Sequence, residues 1–371
     1  MSSDRSASGA LAPIFDVLEG GVGRAYPGAV LEVVHRDEVV IRRAVGLRSS
    51  AQDARPATAE TIYDLASLTK VVATTPLLLQ AAAEGRLRLD DPLAIHLPEA
   101  RAGTATLRHL LSHTSGLPAW IPFYLEVSGY QAVIARAAAT PPTAPAGAQV
   151  VYSDLGFILL GEVIRRALGS PLDVLAEQRI FGPLEMRDTT YRPPSSLHDR
   201  IAPTEDGTAI EQAMAGQAGL RHRWRRYLIW GEVHDSNAYA MGGVSGHSGV
   251  FGTADDVIRY ARMWLGGGRA SRASVLPVEF VQAATAGQPP DQARGLGWAL
   301  TGPQGWWGTT LSASAFGHTG FTGTSVVIDP EHALAVVLLT NAVHLGRDRT
   351  EILTLRRELA AAVARAFALG G

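Results

Sequence analysis

Strand-like runs sit near both ends of this chain and are scarce between them, and that distribution limits the fold more than any other feature of the sequence. The segment GAVLEVVHRDEVVIRRAVGLR (28–48) holds two β-rich runs around the polar turn Arg36-Asp37-Glu38, the pattern of a hairpin. Such runs return only in LGWAL (296–300), SASAFGHTG (312–320), GTSVVIDP (323–330) and ALAVVLLTN (333–341). Between about 105 and 290, helical patterns alternate with loops rich in Gly and Pro, among them TPPTAPAG (140–147) and GGVSGHSGVFG (242–252). In TADDVIRYARMWL the apolar positions recur at helical spacing, and Thr253 with Asp256 resembles a capping box at its start. Helical patterns near 10–20 and in the closing EILTLRRELAAAVARAFAL stand outside the strands. The sum predicts an α+β fold: an antiparallel sheet built from both chain ends and flanked by helices, with a mainly helical lobe inserted. The single domain of 371 residues then divides into an α/β lobe of about 1–85 with 291–371 and a helical lobe of about 86–290.

Within YDLASLTKVVATTPLLLQ (63–80), Lys70 is the only lysine among the 33 lysines and arginines of the chain. Arginine stays protonated at any ordinary pH, whereas a lysine loses its proton when burial or a nearby positive charge lowers its pKa. Ser67 stands three residues earlier, on the same face of the helix that the following apolar run predicts. Its hydroxyl falls near unpaired backbone N–H groups and the positive end of the helix dipole. The expectation is a serine nucleophile beside a lysine that acts as base. A GC-rich gene that rarely uses lysine is the bland alternative.

Apolar residues make up 46% of the chain, charged residues 18%, and the net charge is −2, which argues against disorder and against nucleic acid or anionic membrane as partner. A small molecule is the expected partner. The basic cluster RHRWRR (221–226) reads as a solvated loop or helix face in a chain with no net basic character. With no cysteine there is neither a disulfide nor a thiol nucleophile. The N-terminal MSSDRSASGALAPIFDVLEGG lacks the cationic and apolar blocks of a leader, and no run has the length of a membrane span, so a cytoplasmic location is expected. Oligomeric state is not legible.

Three motifs in order, Ser67-Leu68-Thr69-Lys70, Tyr152-Ser153-Asp154 in VVYSDLGFILLGEVI and His318-Thr319-Gly320 in FGHTGFTGTSVVIDP, resemble those of the serine β-lactamases, the penicillin-binding DD-peptidases and their esterase relatives, the class C β-lactamase-like group with the family VIII carboxylesterases. LRHLLSHTSGLP (107–118), IFGPLEMRDT (180–189) and VHDSNAYAMGGVSGHSGVFGTADDV (233–257) look like connecting regions of the same group, so the resemblance spans nearly the whole chain. It implies that Ser67 attacks a carbonyl to form an acyl-enzyme, with Lys70 and Tyr152 sharing its proton. The backbone N–H groups of Ser67 and Phe321 form the oxyanion hole, and Asp154, His318, Thr319 and Gly320 bind substrate. Lys70 and His318 supply the positive charge that a tyrosine base requires. No cofactor and no metal is implied.

Two positions depart from the usual pattern. Asp154 stands where the group usually has asparagine, and an ionised aspartate accepts hydrogen bonds without donating any. His318 replaces the lysine of most β-lactamases. Asp154 turns the expectation from β-lactams and peptides, and His318, which some DD-peptidases and esterases of the group share, from β-lactams alone; the expected activity is that of a serine acyl hydrolase on small esters. A D-Ala-D-Ala carboxypeptidase or D-amino-acid peptidase, a weak β-lactamase, an acyltransferase and a non-catalytic penicillin-binding sensor are the alternatives.

Other constellations are weaker. GVSGH and GHSGV both miss the second glycine of a nucleophile elbow. His222, His234 and His247 have no metal-ligand spacing. His113 and His247 are expected to stabilise loops, and Trp298, Trp306 and Trp307 to pack in the core, with lining of an acyl pocket as the alternative.

Overall fold

The strands near the two ends of the chain pair with each other. The computed structural model describes residues 3–51, 54–270, 273–301, 305–346 and 350–369, with side chains from residue 10 onward. Six strands form one antiparallel sheet in the spatial order Glu38–Gly46, Gly28–His35, Leu334–Thr340, Ser325–Asp329, Phe316–Thr319 and Ala299–Leu300. The first hairpin turns through Arg36 and Asp37, both at positive φ (51° and 66°), as a tight two-residue turn requires. Its inner strand then runs against the C-terminal one from Ala29 opposite Thr340 to His35 opposite Leu334.

This sheet is covered on both faces, which is why its central strands read as nearly unbroken apolar runs. Ala29, Leu31 and Val33 share one core with Ile14 and Leu18 of the helix Ser3–Gly20 and with Leu355, Leu359 and Val363 of the helix Thr350–Ala366. Val30 and Val34 face the other way, into a larger core that includes Val71, Val257 and Trp298. Glu32 lies buried on that second face, where its carboxylate meets Arg42, its cross-strand partner, at 2.8 Å. Pairing is what makes a buried carboxylate tolerable there.

Two features depart from the sequence expectation. The end of the segment 242–252, expected as loop, forms the strand Val250–Gly252, the centre of a small sheet between Tyr63–Asp64 and Thr190–Tyr191. The apparent capping box at Thr253 is half formed. Thr253 Oγ1 accepts the Asp256 N–H at 3.3 Å, but the Asp256 carboxylate turns away to Thr189 Oγ1 (2.8 Å) and the Asp188 N–H (2.9 Å). RHRWRR is loop, as expected, yet Arg225 within it is buried and donates to the carbonyls of Val233 and His234.

Candidate active site

The segment that carries Ser67 begins with strain. Ala66 has φ +47°, a conformation rare for a residue with a side chain, and Asp64 holds it by accepting the Ala66 N–H at 2.8 Å. A short 3-10 turn over Ala66–Leu68 leads through a widened π turn, Lys70–Thr74, into the helix Thr75–Ala83. Ser67 is half-buried and Lys70 wholly buried. Lys70 Nζ donates to Ser67 Oγ at 2.9 Å and to the His247 carbonyl at 3.2 Å.

The second motif opens the helix Asp154–Leu168. Ser153 is its N-cap: its Oγ accepts the Gly156 N–H at 3.2 Å and donates to the Pro118 carbonyl at 2.7 Å. This fixes Tyr152 just outside the helix and Asp154 in its first turn. Lys70 Nζ lies 4.9 Å from the centre of the Tyr152 ring. His113, buried beneath, packs on that ring at 4.4 Å and accepts the Ser153 N–H at its Nδ1 (3.0 Å). It stabilises its loop, and burial, with Arg294 and Lys70 nearby, holds it neutral.

The third motif lies on the strand Phe316–Thr319 and the turn after it, so Phe321 belongs to the turn rather than to the strand. Thr322 Oγ1 donates to the Asp64 carbonyl (2.7 Å) and Thr324 Oγ1 to the Leu65 carbonyl (3.1 Å), tying this turn to the segment that carries Ser67. Gly320 is required by that closeness, since a Cβ there would stand 2.0 Å from Thr324 Oγ1 and 2.6 Å from the Leu65 carbonyl oxygen. A cleft of about 250 Å³ is lined by Ser67, Tyr152, His318, Thr319, Gly320 and Phe321 from the three motifs, together with Arg294, Ala299 and Trp306. Trp298 and Trp307 are core residues; Trp306 alone of the three reaches the cleft.

The charges differ from expectation at three positions. Asp154 Oδ1 forms an ionic contact of 2.7 Å with Lys70 Nζ, so its charge goes to the lysine, and Asp154 is not among the residues lining the cleft. Burial alone would lower the Lys70 pKa, but Asp154, with Tyr152 adding to it, outweighs burial and raises it above its ordinary 10.5. The expected proton-losing lysine is therefore held charged. His318 moves the other way: burial first, then the charges of Lys70 and Arg294, push it well below 6.5, so it is neutral. Its Nδ1 lies 2.9 Å from the Thr319 carbonyl, which can only accept, so Nδ1 bears the proton.

The second cation of the site is Arg294, which sequence reading missed. Its guanidinium carbon lies 5.5 Å from the Tyr152 ring centre. It belongs to no motif, and the one available signal was an arginine opening the small and apolar run ARGLGWAL (293–300). Among the described residues, no group of three or more His, Cys, Asp or Glu is placed to hold a metal, and no helix is long and apolar enough to cross a membrane.

The family model described as Beta-lactamase matches residues 14–361. The N-acetylmuramyl-L-alanine amidase of Bacillus subtilis is 32% identical over 361 residues, covering 90% of this chain and 81% of that protein. An Escherichia coli protein named "Putative D-alanyl-D-alanine carboxypeptidase" is 32% identical over 349 residues, covering 86% of this chain and 79% of its own. Among solved structures, the one described as "EstCE1, a hydrolase with promiscuous acyltransferase activity" superposes with a TM-score of 0.75 at 21% identity, covering 96% of this chain and 99% of that one, a likeness of fold.

Proposed function

The chain belongs to the beta-lactamase family, and we propose that within it the protein is a serine hydrolase that cleaves an acyl bond lying close to a substrate carboxylate. The observation that carries this reading is Arg294, a cation in the cleft wall beside Ser67 and Tyr152. Arginine at such a wall favours a planar anion, and a neutral ester would gain little from it. The names of the two relatives bring amide bonds of alanine into the same reading.

In this mechanism Ser67 Oγ attacks the carbonyl carbon and its proton passes to Tyr152. Lys70 stays an ammonium: it donates to Ser67 Oγ and faces the Tyr152 ring, so that with Arg294 it would stabilise a phenolate there. The N–H groups of Ser67 and Phe321 receive the carbonyl oxygen as it becomes an oxyanion; such donors contribute about 3–4 kcal/mol each to the barrier. Tyr152 then returns the proton to the leaving group, and water releases the acyl group from Ser67.

A second reading, a small-ester hydrolase, is favoured by Asp154, which offers no amide donor to a peptide carbonyl. One experiment separates the two. Turnover of an N-acyl-D-Ala-D-Ala peptide, of the same peptide amidated at its C-terminus, and of a nitrophenyl ester is measured for wild type and Arg294→Gln. The carboxylate reading expects the free peptide to exceed the amidated one at least tenfold in kcat/KM, about 1.4 kcal/mol, with that gap collapsing in Arg294→Gln. Ester turnover alone, indifferent to Arg294, would establish the second reading instead.

A further inference from the structure

A second cleft of about 200 Å³ opens in the helical lobe, where the loop 222–225 meets Tyr124–Ser128 and the short helix Ser236–Ala240. Its walls are unusually aromatic. Tyr124 lies 5.4 Å from His222 and 5.7 Å from Trp224, centre to centre and edge to face, and His222 lies 4.8 Å from Trp224. Tyr239 is the fourth ring of the lining, and Trp120, outside it, lies 6.4 Å from Tyr124. Polar groups stand among the rings. Tyr124 is 7% exposed, and its hydroxyl is buried with no hydrogen-bond partner among the described residues. Glu211, which does not itself line the cleft, acts on Tyr124 by its charge and accepts the Ser236 N–H with Oε1 (2.9 Å), and its Oε2 has no hydrogen-bond partner among the described residues. Ser128, Thr208, Arg223, Arg225 and Ser236 supply the rest of the polar lining.

The cleft shares its framework with the catalytic one. Tyr124 ends a segment that begins at Ala119, whose carbonyl accepts the Asp154 N–H at 2.9 Å. The helix bearing Ser236 and Tyr239 is capped by Asp235, which also pairs with His247 Nε2 at 2.9 Å, and the His247 carbonyl receives Lys70. His234 stacks on Phe321 with 5.8 Å between ring centres.

Aromatic faces offer their area to a flat apolar surface, whereas the unpartnered phenol of Tyr124 needs a hydroxyl or amide partner. An alkyl chain would leave the phenol unpaired. A pyranose ring satisfies the two requirements together, with C–H faces for the rings and hydroxyls at its edge. We propose that this cleft is a subsite for a pyranose carried by the substrate, which makes the substrate a glycosylated acyl compound. The inference rests on the serine hydrolase reading for its place in catalysis, but not for the binding itself.

The test is saturation-transfer NMR and tryptophan fluorescence of the full chain with methyl glucoside, methyl N-acetylglucosaminide and, as control, choline. The expected result is binding of at least one glycoside, weakened fivefold or more in Tyr124→Phe, which deletes only the hydroxyl, and lost in Trp224→Ala. Thermal melting shows whether each variant is folded, and Tyr124→Phe keeps the test decisive if Trp224→Ala is not. No glycoside binding, binding indifferent to Tyr124→Phe, or binding of choline alone would overturn the subsite. Fluorophosphonate labelling of Ser67 in the wild type reports on the hydrolase reading separately. Absent labelling with intact glycoside binding would sink that reading and spare the subsite.

Discussion

Lys70 sits within 2.9 Å of the Ser67 hydroxyl oxygen and 2.7 Å of the Asp154 carboxylate, so in the proposed mechanism its charge rather than its basicity serves the reaction. Arginine can replace a charge but not a base. Lys70→Arg is therefore expected to lose at least tenfold less acylation rate than Lys70→Ala, in variants whose melting temperatures match wild type. Equal losses would make the lysine the proton acceptor after all. Tyr152→Phe, which removes the proposed acceptor, is expected to lose about 10²–10⁴ in rate, the usual span of a general base. The Lys70 pKa is raised on folding, so the stability it contributes is fully present below 10.5 and is lost only as pH rises through the higher folded value. Asp154→Asn should accordingly lower the melting temperature across the whole neutral range, and a melting temperature equal to wild type at pH 7 would contradict the pairing.

Two helix starts carry predictions of their own. Ser153 caps the helix that positions Tyr152 and Asp154, so Ser153→Ala should cost about 1 kcal/mol of stability and also lower kcat. Urea unfolding and turnover check the two parts independently. At the helix Ala254–Leu265, burial raises the Asp256 carboxyl to about 6 from 3.8. A raised carboxyl stabilises the fold below 3.8 and loses that contribution as pH climbs through 6, a difference of about 3 kcal/mol at most. Both hydrogen bonds to Asp256 end on Oδ2, and an asparagine oxygen can accept both. Asp256→Asn should therefore gain stability relative to wild type between pH 4 and pH 7, and a constant difference across that range would exclude the effect. The sequence announced these elements unequally. The hairpin at 28–46 and the strand Leu334–Thr340 follow from local patterns, whereas Val250–Gly252 is a strand only because residues 63–64 and 190–191 arrive on either side of it. Three residues in a Gly-rich loop carry no periodicity that could reveal that.

At the scale of the molecule, the sheet that joins the two chain ends was legible because strand-like runs cluster there, and Ser67, Lys70, Tyr152 and His318 were legible as candidates because each lies in a motif. Their protonation states were not, because charge in a buried site depends on neighbours distant in sequence. Asp154 fixes Lys70 in its charged form, and Arg294, in no motif, helps to empty His318 of charge. The same sequence makes the central point directly measurable, since Lys70 is the only lysine of the 371 residues. Protein labelled with ¹³C at the lysine ε-carbon gives one side-chain resonance, which can be titrated in wild type and in Asp154→Asn. A folded pKa above 10.5 in the wild type, falling in Asp154→Asn, is the predicted result; a wild-type pKa near or below neutrality would contradict the role of Lys70 as a fixed charge.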